Sequence, residues 1–316
     1  MRLPFPALVL GLGLLSGCMG TPLPEEELES LGQTHQPLTV GNGANLNGAN
    51  LNGTDLSQFL VSISYGPAKR QGVPLEAVWL EGTTFRGQQG DTELAGADFV
   101  GVEFVGHLGN GRTLPVRIAA LSAAPAPNQD LSLYDVEYLA QDGAWRPACR
   151  DASGTPVPAL PVEGTWDYRW GVEGGGSKSN DLSRFTFACQ GGAIAKCALW
   201  GYRPWATRDG VSLAPYHQAC TRMVRADYCG DGASHTREGN RINVYDRLGV
   251  QQDTQGWAFE AEWDENGARC VSPFNRAHMR RPCYDLRVDL RCGRNPLATP
   301  GLLSNELPFS KRRSAP

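Results

Sequence analysis

Apolar and polar residues alternate in short runs from residue 112 onwards. Such alternation turns every second side chain to the same face and predicts half-buried β-strands. The runs cover residues 112–118, 131–139, 145–149, 184–189, 241–245, 257–263, 268–271 and 286–292. Trp166, Tyr168 and Trp170 also alternate, which predicts three aromatic rings on one face. The pattern indicates a mainly β domain of the α+β class.

One stretch has helical periodicity instead. The side chains that share a face at helical spacing are Leu213, Tyr216, Cys220, Met223, Val224 and Asp227. Ser212 is a suitable N-cap and Gly230 a suitable stop. We therefore predict one prominent helix over residues 213–228, with Arg222 and Arg225 pointing away from its apolar face.

A period of five residues precedes these elements. It is visible in ANLNG, ANLNG and TDLSQ at residues 44–58 and returns in VWLEG, TTFRG, TELAG, ADFVG and VEFVG between residues 78 and 106. The runs resemble pentapeptide repeats, which build square β-coils. Eight interrupted pentads are too few for a free-standing solenoid. We predict short β-hairpins and one rudimentary coil packed on the following domain, or a polar lead-in at its start.

Composition supports a folded protein and argues against a nucleic-acid partner. Hydrophobic residues make up 41% of the 316 residues and charged residues 20%, as in folded chains. The net charge of −4 offers no basic surface to nucleic acid. The glycine-rich segment 171–179 lacks Lys at the P-loop position, so it predicts a hairpin loop. No cofactor or metal site is expected.

The N-terminus indicates export and lipid anchoring. After Met1 and Arg2, residues 3–15 are apolar but too few to span a bilayer comfortably, as in a signal peptide. They lead into Leu15-Ser16-Gly17-Cys18, which resembles the cleavage site of bacterial lipoproteins and implies acylation of Cys18. The predicted partner is therefore a lipid bilayer of the cell envelope, on the extracytoplasmic side and with the outer membrane favoured. The alternative is an ordinary secretory signal.

Eight further cysteines predict four disulfides, because an even number behind an export signal is typical of oxidised secreted domains. They are Cys149, Cys189, Cys197, Cys220, Cys229, Cys270, Cys283 and Cys292. Neighbouring strands favour Cys149 with Cys189. Cys270 with either Cys283 or Cys292 follows, and the remaining pairings stay open.

The predicted organisation has five parts. They are a signal peptide at 1–17, a flexible tether at 18–40, a pentad segment at 41–110, a β-rich disulfide domain at 111–295 and a disordered tail at 296–316.

Several motifs resemble the ADYC-domain family of exported bacterial proteins. They are GGAIAKC at residues 191–197, WGYRPW at 200–205, MVRADYCGDG at 223–232, AEW at 261–263 and GARC at 267–270. The family takes its name from Ala226-Asp227-Tyr228-Cys229. The resemblance implies an exported protein, often a lipoprotein, with Asn-Gly-rich pentads upstream, and implies no particular reaction.

Asp227, Asp231 and His235 are the candidate catalytic residues, in a polar cluster that extends to Glu238. Carboxylates beside a histidine are suited to general acid–base work. Cys229 at the end of a helix is a poor nucleophile, because the helix dipole disfavours a thiolate there. A zinc set of His217, Cys220, Cys229 and His235 would leave other cysteines unpaired.

The leading hypothesis is a non-catalytic structural or binding module of the envelope, with a protein or glycan partner. The alternatives are an extracytoplasmic hydrolase that uses the cluster from Asp227 to Glu238, and a saccharide-binding protein that stacks sugars on its tryptophans.

Overall fold

A computed structural model describes residues 59–237, 240–253, 256–278, 282–283, 292 and 301–308. Several predictions lie outside these residues. They are the signal peptide, acylated Cys18, the tether, the pentads before residue 59, Glu238 and most of the strand at 286–292.

The first sheet closes on itself. Its strands are β1 Leu60–Arg70, β2 Val73–Pro74, β6 Val102–Leu108, β7 Thr113–Ala123, β8 Ser132–Leu139, β9 Trp145–Pro147, β10 Ala159–Glu163 and β13 Arg184–Cys189. The order is β10-β13-β1-β6-β7-β8-β9, with β2 beside β1. Strand β10 also pairs with β8 through Ala159 and Tyr134, which makes a ring of six strands. The alternating residues of these strands meet inside it.

A small antiparallel sheet contributes to the core of this ring. It contains β3 Ala77–Glu81, β4 Thr84–Gln89 and β5 Thr92–Ala95, followed by a 3₁₀ turn at Gly96–Phe99. Phe85 on β4 is fully buried, and its ring lies 5.1–5.9 Å from five other aromatic rings. The predicted hairpins are confirmed here, whereas no coil forms among residues 59–108.

This arrangement corrects the predicted boundary at residue 110. Strands β1 and β6 lie in the same sheet as β7 and β8, because β6 pairs with both β1 and β7. The domain therefore includes the later pentads. Their inward Leu and Phe side chains suit a half-buried strand as well as a coil.

The remaining described residues form two helices, a second sheet and two short strand pairs. The helices are α1 Ala193–Leu199 and α2 Ala214–Arg225. The second sheet contains β16 Asn243–Asp246, β17 Ala258–Asp264, β18 Gly267–Val271 and β19 Leu303–Leu307, in the order β16-β19-β17-β18. Two short pairs complete the fold: β11 Thr165–Trp166 with β12 Lys178–Ser179, and β14 Thr207–Arg208 with β15 Val211–Ser212. Helix α2 packs on β17, β18 and β19, and α1 packs on α2 and β13.

Three predictions about these elements are wrong. The tail is not wholly disordered, since Leu303–Leu307 is an internal, buried strand. Helix α2 stops at Arg225, three residues early, and both Arg222 and Arg225 are buried rather than pointing to solvent. The aromatic alternation does not continue as a strand, because Trp166 is buried and Trp170 is 68% exposed.

The four predicted disulfides are confirmed. Cys149 joins Cys189, as favoured, and Cys270 joins Cys292. Cys197 joins Cys220 and thereby ties α1 to α2, and Cys229 joins Cys283. Each closes a loop of more than twenty residues, which lowers the entropy of the unfolded chain.

The strand in the tail is tested by two Leu→Ala variants. Leu303 is 1% exposed in β19 and Leu182 is 71% exposed in a turn. We expect Leu303→Ala to lower the free energy of unfolding by about 2–5 kcal/mol and Leu182→Ala by about 0.5 kcal/mol or less, measured by denaturant titration with the disulfides intact. Equal stabilities of the two variants would contradict a buried strand at Leu303 and support the prediction of a disordered tail.

Candidate functional site

The segment after α2 makes a tight turn. Ala226 has a left-handed backbone with φ of 53°, and its amide donates to the carbonyls of Arg222 and Met223. This geometry ends the helix before Gly230 because the next amide, of Asp227, also folds back to Arg222 at 2.9 Å. The Asp227 side chain is therefore turned inward at the helix end.

Asp227 is fully buried and its carboxylate is well supplied with donors. Its Oδ2 lies 2.5 Å from Arg222 Nη1 and 3.7 Å from Arg225 Nη1. The amides of Asp231 and Gly232 donate to its two oxygens at 3.2 and 3.1 Å. The carboxylate thus neutralises a buried arginine and holds the CGDG turn in shape.

Arg222 carries this contact to two further loops. Its Nη1 donates to the Gly175 carbonyl, and its Nη2 donates to Ser177 Oγ at 2.8 Å. Its Nε donates to the Glu265 carbonyl at 3.2 Å, in the turn between β17 and β18. One buried guanidinium therefore links α2, the glycine-rich loop and the second sheet, and the matching acceptors satisfy it.

Glycines in the glycine-rich loop and in the CGDG turn allow close approach of neighbouring backbone segments. A Cβ on Gly175 would lie 2.2 Å from the Asp231 carbonyl oxygen, and one on Gly230 would lie 1.8 Å from that of Asn266. Gly176, with φ of 73°, leaves 2.6 Å between such a Cβ and Arg222 Nη1. The glycine-rich segment is the predicted hairpin loop, between β11 and β12, and its glycines serve close packing.

Tyr228 faces a second buried network. Its hydroxyl donates to Glu260 Oε1 at 2.6 Å, and the Arg276 guanidinium bridges both oxygens of Glu260 at 3.0 Å. Arg276 also donates to the last carbonyls of α2, at Met223 and Val224, where a cation is favoured by the helix dipole. Burial, followed by the charge of Glu260, raises the pKa of Tyr228. The tyrosine therefore stays neutral and acts as a donor.

The three candidate catalytic residues differ in exposure, since Asp227 is fully buried whereas Asp231 and His235 are half-buried. Asp227 is closed off from solvent. Asp231 accepts a hydrogen bond from the amide of Ala233, and the amide of His235 donates to the Arg225 carbonyl. The His235 ring lies 5.9 Å from that of Tyr228. This part of the chain therefore holds loops in place.

The zinc site considered for His217, Cys220, Cys229 and His235 does not form. Cys220 and Cys229 belong to different disulfides. The Cys270–Cys292 sulfurs lie close to Glu262. Those sulfurs are bonded to each other and are not thiolate ligands.

A serine–histidine pair on the first sheet escaped the sequence reasoning. Ser64 Oγ lies 2.7 Å from His107 Nε2, between neighbouring strands β1 and β6. Burial, followed by the charge of Arg184, lowers the pKa of His107. In the described part of the chain, no carboxylate pairs with this ring, so the third member of a triad is not in place. No local sequence pattern indicates the pairing register of β1 and β6 that brings Ser64 and His107 together.

His217 is a buried neutral histidine on α2. It is 0% exposed, and its Nε2 lies 3.0 Å from the Ile194 carbonyl, to which it can only donate. Burial lowers its pKa from 6.5 to about 3. His217 thus joins α2 to α1 beside the Cys197–Cys220 disulfide, in a position unsuited to a metal ligand or a base.

This arrangement defines a class: a β-rich, disulfide-linked domain in which Ala226, Asp227 and Tyr228 are buried at the end of a helix that packs on the second sheet. Residues 96–277 match the family model of the ADYC domain, and residues 38–58 match the model described as Pentapeptide repeats (8 copies). The first match covers more than half of the chain, which therefore belongs to the ADYC-domain family. No curated protein and no solved structure matches it.

The role of Asp227 is tested by Asp227→Asn. Loss of the charge leaves Arg222 buried without a counterion, so we expect the free energy of unfolding to fall by about 3–5 kcal/mol in urea titrations. Asp231→Asn is the matched control, because an amide oxygen can still accept from Ala233, and it should change stability by about 0.5 kcal/mol or less. An Asp227→Asn protein as stable as the wild type would refute the structural role.

The buried histidine predicts an acid-dependent loss of stability. The unfolded chain protonates His217 near pH 6.5 and the folded chain only near pH 3, so its contribution is complete above pH 6.5 and falls as the pH is lowered. We expect wild type to lose up to about 1.4 kcal/mol per pH unit more than His217→Gln across that window. Parallel stability curves of the two proteins would contradict this.

Proposed function

We propose that this chain is an exported, lipid-anchored and non-catalytic module of the bacterial cell envelope, where it serves a structural or binding role. The observation that carries the proposal is the use of the cysteines. Eight of the nine pair in four disulfides. Persistent disulfides of this kind need an oxidising compartment. The ninth, Cys18, stands at the end of the signal-like segment.

The non-catalytic role is supported by the signature segment. An acid–base residue must reach substrate, whereas Asp227 is fully buried and its charge is matched by Arg222. Tyr228 is 1% exposed and bonded to Glu260. The two polar residues of the signature thus support the fold, and a partner protein or glycan would meet other surfaces.

Among the described residues, no helix combines the length and hydrophobicity that a bilayer span requires. Acyl chains on Cys18 would supply membrane affinity of about 0.8 kcal/mol per buried CH₂.

Cell fractionation of a Cys18→Ser variant tests the anchor. Without a thiol to acylate, the full chain should move from the membrane fraction to the soluble extracytoplasmic fraction. Ser16→Ala is the control, because it changes the same segment but keeps Cys18, and it should remain in the membrane. Retention of Cys18→Ser in the membrane would overturn the proposal.

A further inference from the structure

The four disulfides differ in how far solvent reaches them. Four of the paired cysteines are at most 1% exposed: Cys149, Cys189, Cys197 and Cys220. Cys270 and Cys292 are half-buried. Cys229 is exposed, whereas its partner Cys283 is half-buried and packs against the core of the second sheet. Cys229 is therefore the paired cysteine that an outside reagent reaches most easily.

Access to sulfur decides which disulfide can exchange with a thiol outside the protein. Exchange begins when a thiolate attacks one sulfur of the disulfide, so a pair inside a core reacts only after the core opens. The half-buried pair Cys270–Cys292 has a further obstacle. A carboxylate oxygen of Glu262 lies within 4.8 Å of both its sulfurs and opposes the approach of an anionic thiolate. Cys229 can be attacked without any opening of the fold, because it is exposed.

The main chain around Cys229 is held by contacts other than the disulfide. The Ala268 amide donates to the Tyr228 carbonyl at 2.9 Å. Gly267 lies so close that a Cβ there would be 3.2 Å from the Cys229 carbonyl carbon. The turn between β17 and β18 thus keeps Cys229 in place when its sulfur is released from Cys283, and the same disulfide can form again.

We infer that the Cys229–Cys283 disulfide exchanges with an external dithiol and that Cys229 is the sulfur attacked. A thiolate of the dithiol forms a new S–S bond to Cys229 Sγ, the bond to Cys283 breaks, and Cys283 leaves as a thiolate that takes up a proton. The second thiolate of the dithiol then attacks the donor sulfur of this mixed disulfide and releases Cys229 as a thiol. The dithiol is oxidised to a disulfide, and the protein disulfide is reduced to two thiols.

This exchange names a partner class for the binding module proposed above, and it rests on that proposal for its compartment. In the mixed disulfide the module is covalently attached to its partner through the family signature. Cys229 is the atom attacked and not the nucleophile, so the unfavourable position of a thiolate near a helix C-terminus is no obstacle.

Limited reduction by dithiothreitol, followed by alkylation with N-ethylmaleimide and peptide mapping, measures the exchange at each disulfide. The full chain carrying Cys18→Ser is used, so that its remaining cysteines are those of the four disulfides. We expect Cys229 and Cys283 to be alkylated at least about tenfold faster than the other six cysteines. Faster alkylation of another pair, or equal rates for all four, would overturn the inference.

The monothiol 2-mercaptoethanol identifies the sulfur that is attacked, because it lacks the second thiol that would resolve the mixed disulfide. After brief reaction and an acid quench, mass spectrometry should find the adduct on Cys229 and a free thiol on Cys283. An adduct mainly on Cys283 would contradict the assignment.

Two controls separate access to sulfur from local unfolding. In about 1 M urea, below the unfolding transition, the rate at Cys229–Cys283 should change by less than about twofold, whereas exchange that needs opening accelerates. Strong acceleration at this pair would overturn the inference. A double variant, Cys229→Ser with Cys283→Ser, should keep the circular dichroism spectrum of the parent and lose the fast phase, while the other three disulfides react as before.

The source of the dithiol is resolved by comparing dithiothreitol with reduced thioredoxin, which carries its dithiol on a protein. A larger second-order rate constant for thioredoxin identifies a protein dithiol, and a smaller one identifies a small dithiol; both results support exchange at Cys229. Thiol exchange can be followed with or without detergent, whether or not Cys18→Ser leaves the membrane. A failure of this inference is therefore distinct from a failure of the membrane fractionation test.

Discussion

The ion pair between Arg222 and Asp227 is the contact on which the arrangement of this domain depends. Both side chains are almost completely buried, and each alone would be an uncompensated charge in the interior. Together they connect the end of α2 to the glycine-rich loop and to the second sheet. Asp227 of the family signature therefore helps to hold α2, the glycine-rich loop and the second sheet together. Its role is structural.

The surrounding sequence is adapted to this pair. Gly175 and Gly230 let three backbone segments approach closer than any side chain would permit, and Gly176 leaves room for the Arg222 guanidinium. Arg276 is a second buried arginine that is paired with a carboxylate, that of Glu260. It also donates hydrogen bonds to the last carbonyls of α2. Every side-chain nitrogen of Arg222 donates a hydrogen bond in this cluster. The buried Nε and Nη1 of Arg225 make no hydrogen bond with the residues that the structure describes, and Nη1 only approaches Asp227 at 3.7 Å.

Local patterns predicted much of the fold. Alternation located β8 and β13, and helical spacing located α2, because one face of each is apolar. Local patterns failed for polar residues that are buried. Arg222 was expected to point away from the apolar face of α2, and Asn305 lies in a segment whose polar sequence predicts a disordered tail. Asn305 is nevertheless fully buried, where it accepts from the Trp263 indole at 2.7 Å and donates to Glu260. Such partners come from distant strands, and no local pattern indicates them.

A double-mutant cycle on Arg222 and Asp227 tests the central claim most directly. The cycle compares the unfolding free energies of wild type, Arg222→Met, Asp227→Leu and the double variant. If the pair is a structural hub, each single variant loses about 3–5 kcal/mol and the double variant loses clearly less than their sum, with a coupling of at least about 2 kcal/mol. Additive losses, or single variants as stable as wild type, would contradict the claim.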